Sequence, residues 1–420
     1  MLSRLACGGV HFVRPRIRSE TPIVSPVQPL FITHFTSTSA AGRGNAALWR
    51  ALESGTSGLT PNDFGPARLD CWIGRVAALE SEPLEPNYPE MDCRNNRLAW
   101  LGLRQDGFTE AVEELKDRVN PRRIGLFLGT STSGILSTED AFRAQRTTGT
   151  FPAPFPYRET HDLFSVTGFV RRRLGLAGPA FSVSTACSSS AKVFGDAHRF
   201  IAAGLCDAAV VGGVDSLCLT TLFGFHSLAL VSAKPCRPFD RARDGISIGE
   251  AAGFMILEKV PQTSDDPALL GYGESSDAYH LSAPRPDGAG AARAMTDALG
   301  RAGLDASDID YVNLHGTATP LNDGLEAKAL APLTGADTPC SSTKGWTGHT
   351  LGAAGITEAV IACLCLRRQW VPGTLNCGDL DPDLEVGILQ ESRPARVRRV
   401  MSNSFGFGGS NCSLVLGRPA

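Results

Sequence analysis

Short apolar runs without polar interruption recur along this chain, and they constrain its fold more than any other feature. Ile124–Leu128 ends in Gly129, Phe181–Val183 runs into a turn of small residues, and Ala208–Gly212 is a third run. Strands covered by helices on both faces read this way, because neither face needs polar residues. Helical spacing follows, as with Ala191, Phe194, Ala197 and Ile201 after the second run. Strands alternating with helices predict an α/β fold. The first strand is expected at Pro29–Thr33, with a helix around Ala46–Glu53.

The order of elements suggests a duplication, with one half over 29–261 and the other over 262–420. Strand Ile124–Leu128 leads into Gly129-Thr130-Ser131-Thr132, and strand Ile309–Leu314 leads into His315-Gly316-Thr317-Ala318-Thr319. The turn Thr185-Ala186-Cys187-Ser188 is paired with Asn403-Ser404-Phe405-Gly406. Gln262–Pro267, polar and ending in proline, is the expected linker.

Bulk properties exclude some functions. With 420 residues, 42% of them hydrophobic, the chain has enough material for a large core. A net charge of −3 gives no basic excess for nucleic acid. The 12 cysteines have neither zinc-ribbon nor CxxC spacing, so no metal site is expected and a reducing cytoplasm is. The apolar stretch from Ala208 to Leu222 is broken by Asp215, Ser216 and two threonines, and no membrane span is expected. Residues 1–28 hold four arginines, one acid and three prolines, without the continuous apolar core of a signal peptide. A disordered extension, an early start codon or a targeting peptide are the readings of this stretch.

Four segments carry chemistry. Cys187 lies at a strand-to-helix turn among small residues, where free N–H groups at a helix start stabilise a thiolate or an oxyanion. A small buried thiol in a tight turn is the alternative. His315 ends a buried strand, where α/β sites gather, or else is satisfied by backbone. Asp323 and Glu326 behind it read as a helix cap and its partner carboxylate. Lys344, among Ser, Gly and Trp, reads as buried, which requires a partner such as Glu358. His349 follows near a helix start, where it stays neutral. Ser402–Asn411 is glycine-rich without the lysine of a nucleotide loop, so it is expected to aim a backbone N–H into a site, with Phe405 as an apolar wall.

Together these segments resemble the β-ketoacyl-[acyl-carrier-protein] synthases of the thiolase superfamily. The resemblance rests on Thr185-Ala186-Cys187-Ser188-Ser189-Ser190, His315-Gly316-Thr317-Ala318-Thr319, Lys344 with Gly348-His349, Asn403-Ser404-Phe405-Gly406-Phe407-Gly408-Gly409, and Arg237-Pro238-Phe239-Asp240 continuing to Gly249-Glu250. It implies a thiolase-like α/β fold of two similar halves with mixed sheets in an αβαβα arrangement. It implies that Cys187 takes an acyl group from acyl carrier protein, and that His315 and His349 stabilise the enolate of a decarboxylating malonyl thioester. Condensation then gives a 3-oxoacyl carrier protein and CO2. Backbone N–H groups of Cys187 and Phe405 would form the oxyanion hole, with Phe405 also the gate. Lys344 and Glu358 would be an ion pair, and Thr317 and Thr319 would hold the pantetheine arm. No cofactor is implied beyond the carrier's phosphopantetheine. The expected partners are acyl carrier protein and a second copy of the chain, or a ketosynthase-like partner in a heterodimer. Arg94, Arg97, Arg241 and Arg243 would either meet the acidic carrier or form a solvated charged face.

Gly345-Trp346 and Thr132-Ser133 depart from the commonest pattern, which leaves chain length open. The serine run after Cys187 looks more like polyketide-type enzymes, and the whole resembles the synthases of polyene pigments such as aryl polyenes. A chain-length-factor-like subunit is the alternative, but such subunits lose the nucleophile that Cys187 supplies. A degradative thiolase would need a second cysteine as base, and Cys412 is expected in a strand.

Overall fold

A computed structural model describes residues 24–419 apart from 67 and 85, so most of the expected extension over 1–28 lies outside the described residues. The first half contributes strands β1 (Leu30–Ser39), β2 (Ile124–Gly129), β3 (Ala180–Val183), β4 (Ala208–Asp215) and β5 (Ala251–Glu258). The second contributes β6 (Ala268–Ser276), β7 (Tyr311–Asn313), β8 (Pro339–Ser341), β9 (Gly387–Ile388), β10 (Arg399–Gly406) and β11 (Ser410–Gly417). The helices used below are α1 (Arg94–Leu103), α2 (Phe108–Arg118), α3 (Ser165–Arg173), α4 (Ser189–Ala202), α5 (Leu219–Ser227), α6 (Ala289–Ala302), α7 (Pro320–Thr334) and α8 (Ala354–Arg368).

The strands join in the order β9-β8-β7-β10-β11-β6-β1-β5-β4-β2-β3. Read outward from the centre, the first half runs β1-β5-β4-β2-β3 and the second β6-β11-β10-β7-β8, with β9 added outside. The two series repeat each other in order and in direction: two antiparallel pairings, then two parallel ones. They meet where Leu30 faces Leu269 and Phe31 faces Ala268. The turn between β5 and β6 is held by the Asp266 carboxylate, which accepts from Gln262 N at 2.8 Å and Thr263 N at 2.9 Å.

Helices cover each half-sheet on both sides. On the outer face of the first, α1, α2 and α3 pack Leu98, Phe108, Phe169 and Val170 against Leu126, Val210 and Phe254. On the outer face of the second, α6 and α7 pack Met295, Ala298 and Leu330 against Val312, Met401 and Val415. Between the half-sheets lie α4 and α8, whose Phe194, Ala197, Ile356 and Val360 share one core with Val211, Met255, Leu414 and Leu416. Neighbours such as Val210 and Val211 therefore enter opposite cores, and both faces stay apolar. The result is five layers, αβαβα. Gly355 lets the two central helices touch, since a Cβ there would lie 2.6 Å from Ala191 N.

Three expectations change. β1 continues six residues past Thr33, through buried Thr36–Ser39, whose polarity hid the strand. The glycine-rich segment is a hairpin, not a loop: Ser402–Gly406 belongs to β10, and only Phe407–Gly409 turns. The pairing of the Cys187 turn with Asn403–Gly406 is also replaced. The strand before Cys187, β3, matches β8 in the repeat, whereas the strand carrying Asn403, β10, matches β4. Cys187 and His349 thus occupy equivalent turns, each leading from an outer parallel strand into a central helix.

Candidate active site

Cys187 lies in the turn between β3 and α4. Ala186, just before it, takes the left-handed conformation with φ 52°, and the turn is closed by Ser189 Oγ, which accepts from Thr185 N at 2.9 Å. The thiol is only 5% exposed. His315 follows β7, and His349 lies between β8 and α8, so both histidines enter from the carboxyl ends of parallel strands. The His349 Nε2 is 3.0 Å from Cys187 Sγ, and the two imidazole centroids are 5.2 Å apart at 85°.

Partners on the far side of each ring assign its tautomer. Leu351 N–H donates to His349 Nδ1 at 3.3 Å, and the Lys344 ammonium stands 3.5 Å from His315 Nδ1. A proton on either Nδ1 would oppose these donors, so each neutral ring presents Nε2–H to the space around the sulfur. Burial and the Lys344 charge hold both histidines well below the ordinary value of 6.5, so they are neutral at physiological pH. Burial pushes the Cys187 thiol up to about 11, against the opposing pull of Lys344 and of the Phe407 N–H.

Lys344 also donates to the His315 carbonyl and to Glu358 Oε1, the latter at 2.5 Å. Glu358 Oε2 has no partner among the described residues. The thiol and the two imidazoles offer atoms within 4.8 Å of one another, a spacing that a soft cation can use. The ammonium against His315 opposes a second cation there.

Buried carboxylates hold the frame. Glu326 accepts from His315 N and Gly316 N, both at 2.8 Å, and burial raises its carboxyl to about 7. Asp323 accepts from Phe239 N at 2.9 Å and Ala318 N at 3.2 Å. Asp215, at the end of β4, accepts from the N–H groups of Ser131, Thr132 and Gly352 and from the hydroxyls of Thr130, Ser131 and Thr132, at 2.5 to 3.0 Å. It ties a loop of the first half to the turn just after His349. Replacing Asp215 with alanine strands several buried donors at once, so a loss of at least about 3 kcal/mol is expected in urea unfolding, with asparagine in between.

A passage reaches the sulfur, lined by Phe225, Leu230, Thr317, Thr319, Phe405 and Phe407, among others. The Thr317 and Thr319 hydroxyls are 2.9 Å apart and line this passage with Cys187 and both histidines. The expected oxyanion donor at Phe405 is corrected: the backbone N–H beside the Cys187 sulfur is that of Phe407. Phe405 is a rung of the hairpin opposite Asn411, and its ring stands 6.0 Å from that of His315, as a wall of the passage. Two arginines expected at the surface are also corrected. Arg94 is buried and pairs with Glu250 at 2.6 Å. The Arg243 side chain is largely buried, 2.6 Å from Asp381. Arg97 pairs with Asp92 at 2.6 Å, and exposed Arg241 faces Asp379 at 3.5 Å.

Sequence reasoning missed Phe407, Asp215 and the grip of Glu326 on the His315 backbone. A signal existed for Asp215, an acid closing an apolar run at a strand end.

Comparison with known proteins places this geometry among enzymes. Residues 96–263 match the N-terminal domain of β-ketoacyl synthase and residues 268–378 its C-terminal domain. The 3-oxoacyl-[acyl-carrier-protein] synthase 2 of Coxiella burnetii is 32% identical over 92% of this chain and 98% of its own length. The enzyme of the same name from Rhizobium meliloti is 42% identical over 60% of this chain and 63% of its own length. Among solved structures, the ketosynthase ApeO in complex with its chain length factor ApeC from Xenorhabdus doucetiae aligns with TM-score 0.85 and 39% identity over 93% of this chain and 98% of that one.

Proposed function

The chain belongs to the β-ketoacyl synthase family, and from that premise we propose how its residues divide a decarboxylating condensation. It is an acyltransferase that makes 3-oxoacyl carrier protein and CO2. In the first half-reaction the Cys187 sulfur attacks an acyl thioester, forming acyl-Cys187 and releasing the carrier thiol. The N–H groups of Cys187 and Phe407 hold the oxyanion, each such donor being worth about 3–4 kcal/mol in other enzymes. In the second, malonyl carrier protein binds with its thioester oxygen against the two Nε2–H groups. Loss of CO2 leaves an enolate there, which attacks the acyl-Cys187 carbonyl and expels the sulfur.

One observation carries this reading: two buried, neutral imidazoles aim Nε2–H donors at the space beside a buried cysteine. Decarboxylation supplies the carbanion, so donors are needed and a strong base is not. Lys344 and Glu358 act through His315, Thr317 and Thr319 bind the pantetheine arm, and no cofactor is needed beyond the carrier's phosphopantetheine. Replacing His315 with alanine is expected to slow malonyl decarboxylation about 100- to 1,000-fold, as loss of one such donor does elsewhere, while Cys187 still accepts an acyl group. Equal loss of both half-reactions would contradict the division of labour.

Because both histidines lie well below 6.5, decarboxylation by the native enzyme should stay level as pH falls from 8 to 6.5. A midpoint at or above 6.5 in the pH profile would contradict neutral donors.

ApeO, 39% identical, is solved with a chain length factor. That similarity favours a polyketide or polyene branch and pairing with a ketosynthase-like partner; co-expression with candidate subunits and mass measurement of the purified complex tests it against a homodimer. The described cysteines are all free and buried, which fits a reducing cytoplasm, and no described helix is long and apolar enough to cross a membrane.

A further inference from the structure

The two imidazoles are steadied in different ways. Glu326 grips the His315 backbone directly, whereas His349 N–H donates to the Ser247 carbonyl at 2.7 Å. Gly249 N–H donates in turn to the His349 carbonyl at 2.9 Å, so Ser247–Gly249 clamps the His349 backbone at both of its polar groups. Ile248–Gly249 runs parallel to Trp72–Gly74, with Gly74 facing Gly249. The Thr347 carbonyl lodges against both glycines, and a Cβ on either would collide with it. Leu351 N–H, in the same turn, orients the ring through Nδ1, so wherever this turn is set the imidazole is set.

Glu250 directly follows the clamp. It is fully buried, and its carboxylate collects donors from three other segments. It accepts from Val76 N and Leu217 N, both at 2.9 Å, and from Arg94 through Nε at 2.9 Å and Nη2 at 2.6 Å. Its own N–H donates to the Gly74 carbonyl at 2.9 Å. Leu217 lies two residues beyond Asp215, which accepts from Gly352 N at 2.6 Å on the far side of the histidine turn. Two buried carboxylates thus frame that turn. Neither Arg94 nor Glu250 lines the passage. A buried ion pair adds little stability over apolar residues of the same volume, but its two-pronged geometry fixes direction.

We propose that Arg94 and Glu250 are positioning residues for His349. The pair fixes the strand that clamps the histidine, and so the aim of its Nε2–H at the thioester oxygen. The proposal rests on the condensing-enzyme reading. Loosening the pair lets the clamp shift, which turns one donor away from the enolate while the passage that binds substrate is untouched. A small misplacement of this kind costs rate rather than binding. His315, held by Glu326, keeps its place.

The test uses the full chain and follows CO2 release from malonyl carrier protein, with urea unfolding of each variant alongside. Arg94→Met with Glu250→Gln removes both charges together, so the fold is kept. This pair is expected to lower kcat at least about tenfold and to leave KM for the malonyl carrier within about twofold. Leu330→Ala, in the remote core under α7, should lower stability without changing kcat. A double-mutant cycle then identifies the imidazole involved. Added to His349→Ala, the pair should cost less than about twofold; added to His315→Ala, it should cost its full tenfold. Should the pair variant not fold, Arg94→Lys, which keeps the charge but loses the two-pronged grip, enters the same cycle under the same criteria. If the native enzyme releases no CO2, the condensing-enzyme reading falls and the proposal with it. If the native enzyme is active but the pair variant keeps its kcat, as Leu330→Ala does, the positioning proposal alone is overturned. The same holds if the loss persists in full in the His349→Ala background.

Discussion

Replacing Cys187 with alanine is expected to lower 3-oxoacyl carrier formation by at least about 10⁴-fold, the scale on which covalent enzymes lose rate with their nucleophile. The argument is geometric. Sγ is 3.0 Å from His349 Nε2, beside the Phe407 N–H, at the end of the passage. Of the other ten described cysteines, all buried, none lines that passage. None can therefore take over the acyl group. Malonyl decarboxylation should survive the substitution, because its donors are the two imidazoles. Condensation near the native rate in the alanine variant would remove Cys187 from the mechanism.

The second large effect lies in the Lys344–Glu358 pair. Lys344→Met leaves Glu358 buried opposite an uncharged side chain, with Oε2 already unpartnered. Breaking one side of a buried pair costs about 3–5 kcal/mol, whereas Lys344→Met with Glu358→Gln removes both charges and should recover most of that. The sign with pH follows from Glu358. Burial raises its carboxyl and Lys344 lowers it, so losing Lys344 raises it further above the unfolded value. The folded variant then binds a proton the unfolded chain does not, and its deficit shrinks as pH falls from 8 toward the unfolded carboxyl value. Urea unfolding across that range measures this; a deficit that is constant with pH would mean that Glu358 keeps its charge in the folded variant, its carboxyl no longer raised. The same substitution removes the charge that depresses both histidines, so decarboxylation in the variant should become acid-sensitive at higher pH than in the native enzyme.

Much of this site could be read before the fold was known, because its chemistry is local. Cys187 is marked by the turn around it, and Lys344 by neighbours that cannot be a solvated surface. The rest depends on distances in space. Arg94 looks like a surface arginine until Glu250, 156 positions away, arrives beside it. Arg243 is hidden by Asp381, 138 positions on. Asp215 gathers donors from both halves, which no window of sequence contains. The choice between Phe405 and Phe407 turns on where the hairpin bends, and glycines on both sides of Phe407 leave that open to sequence patterning. The repeat was visible as alternating elements, but its true equivalence, Cys187 with His349, needed the strand order.

The central claim is that Cys187 holds an acyl group awaiting a decarboxylated malonyl unit. Incubating the enzyme with acyl carrier protein, then mapping the adduct by peptide mass before and after adding malonyl carrier protein, tests it directly. The account predicts one acyl adduct on the Cys187 peptide, lost as CO2 and 3-oxoacyl carrier appear together. An adduct on another residue, or one on Cys187 that persists while product forms, would contradict it.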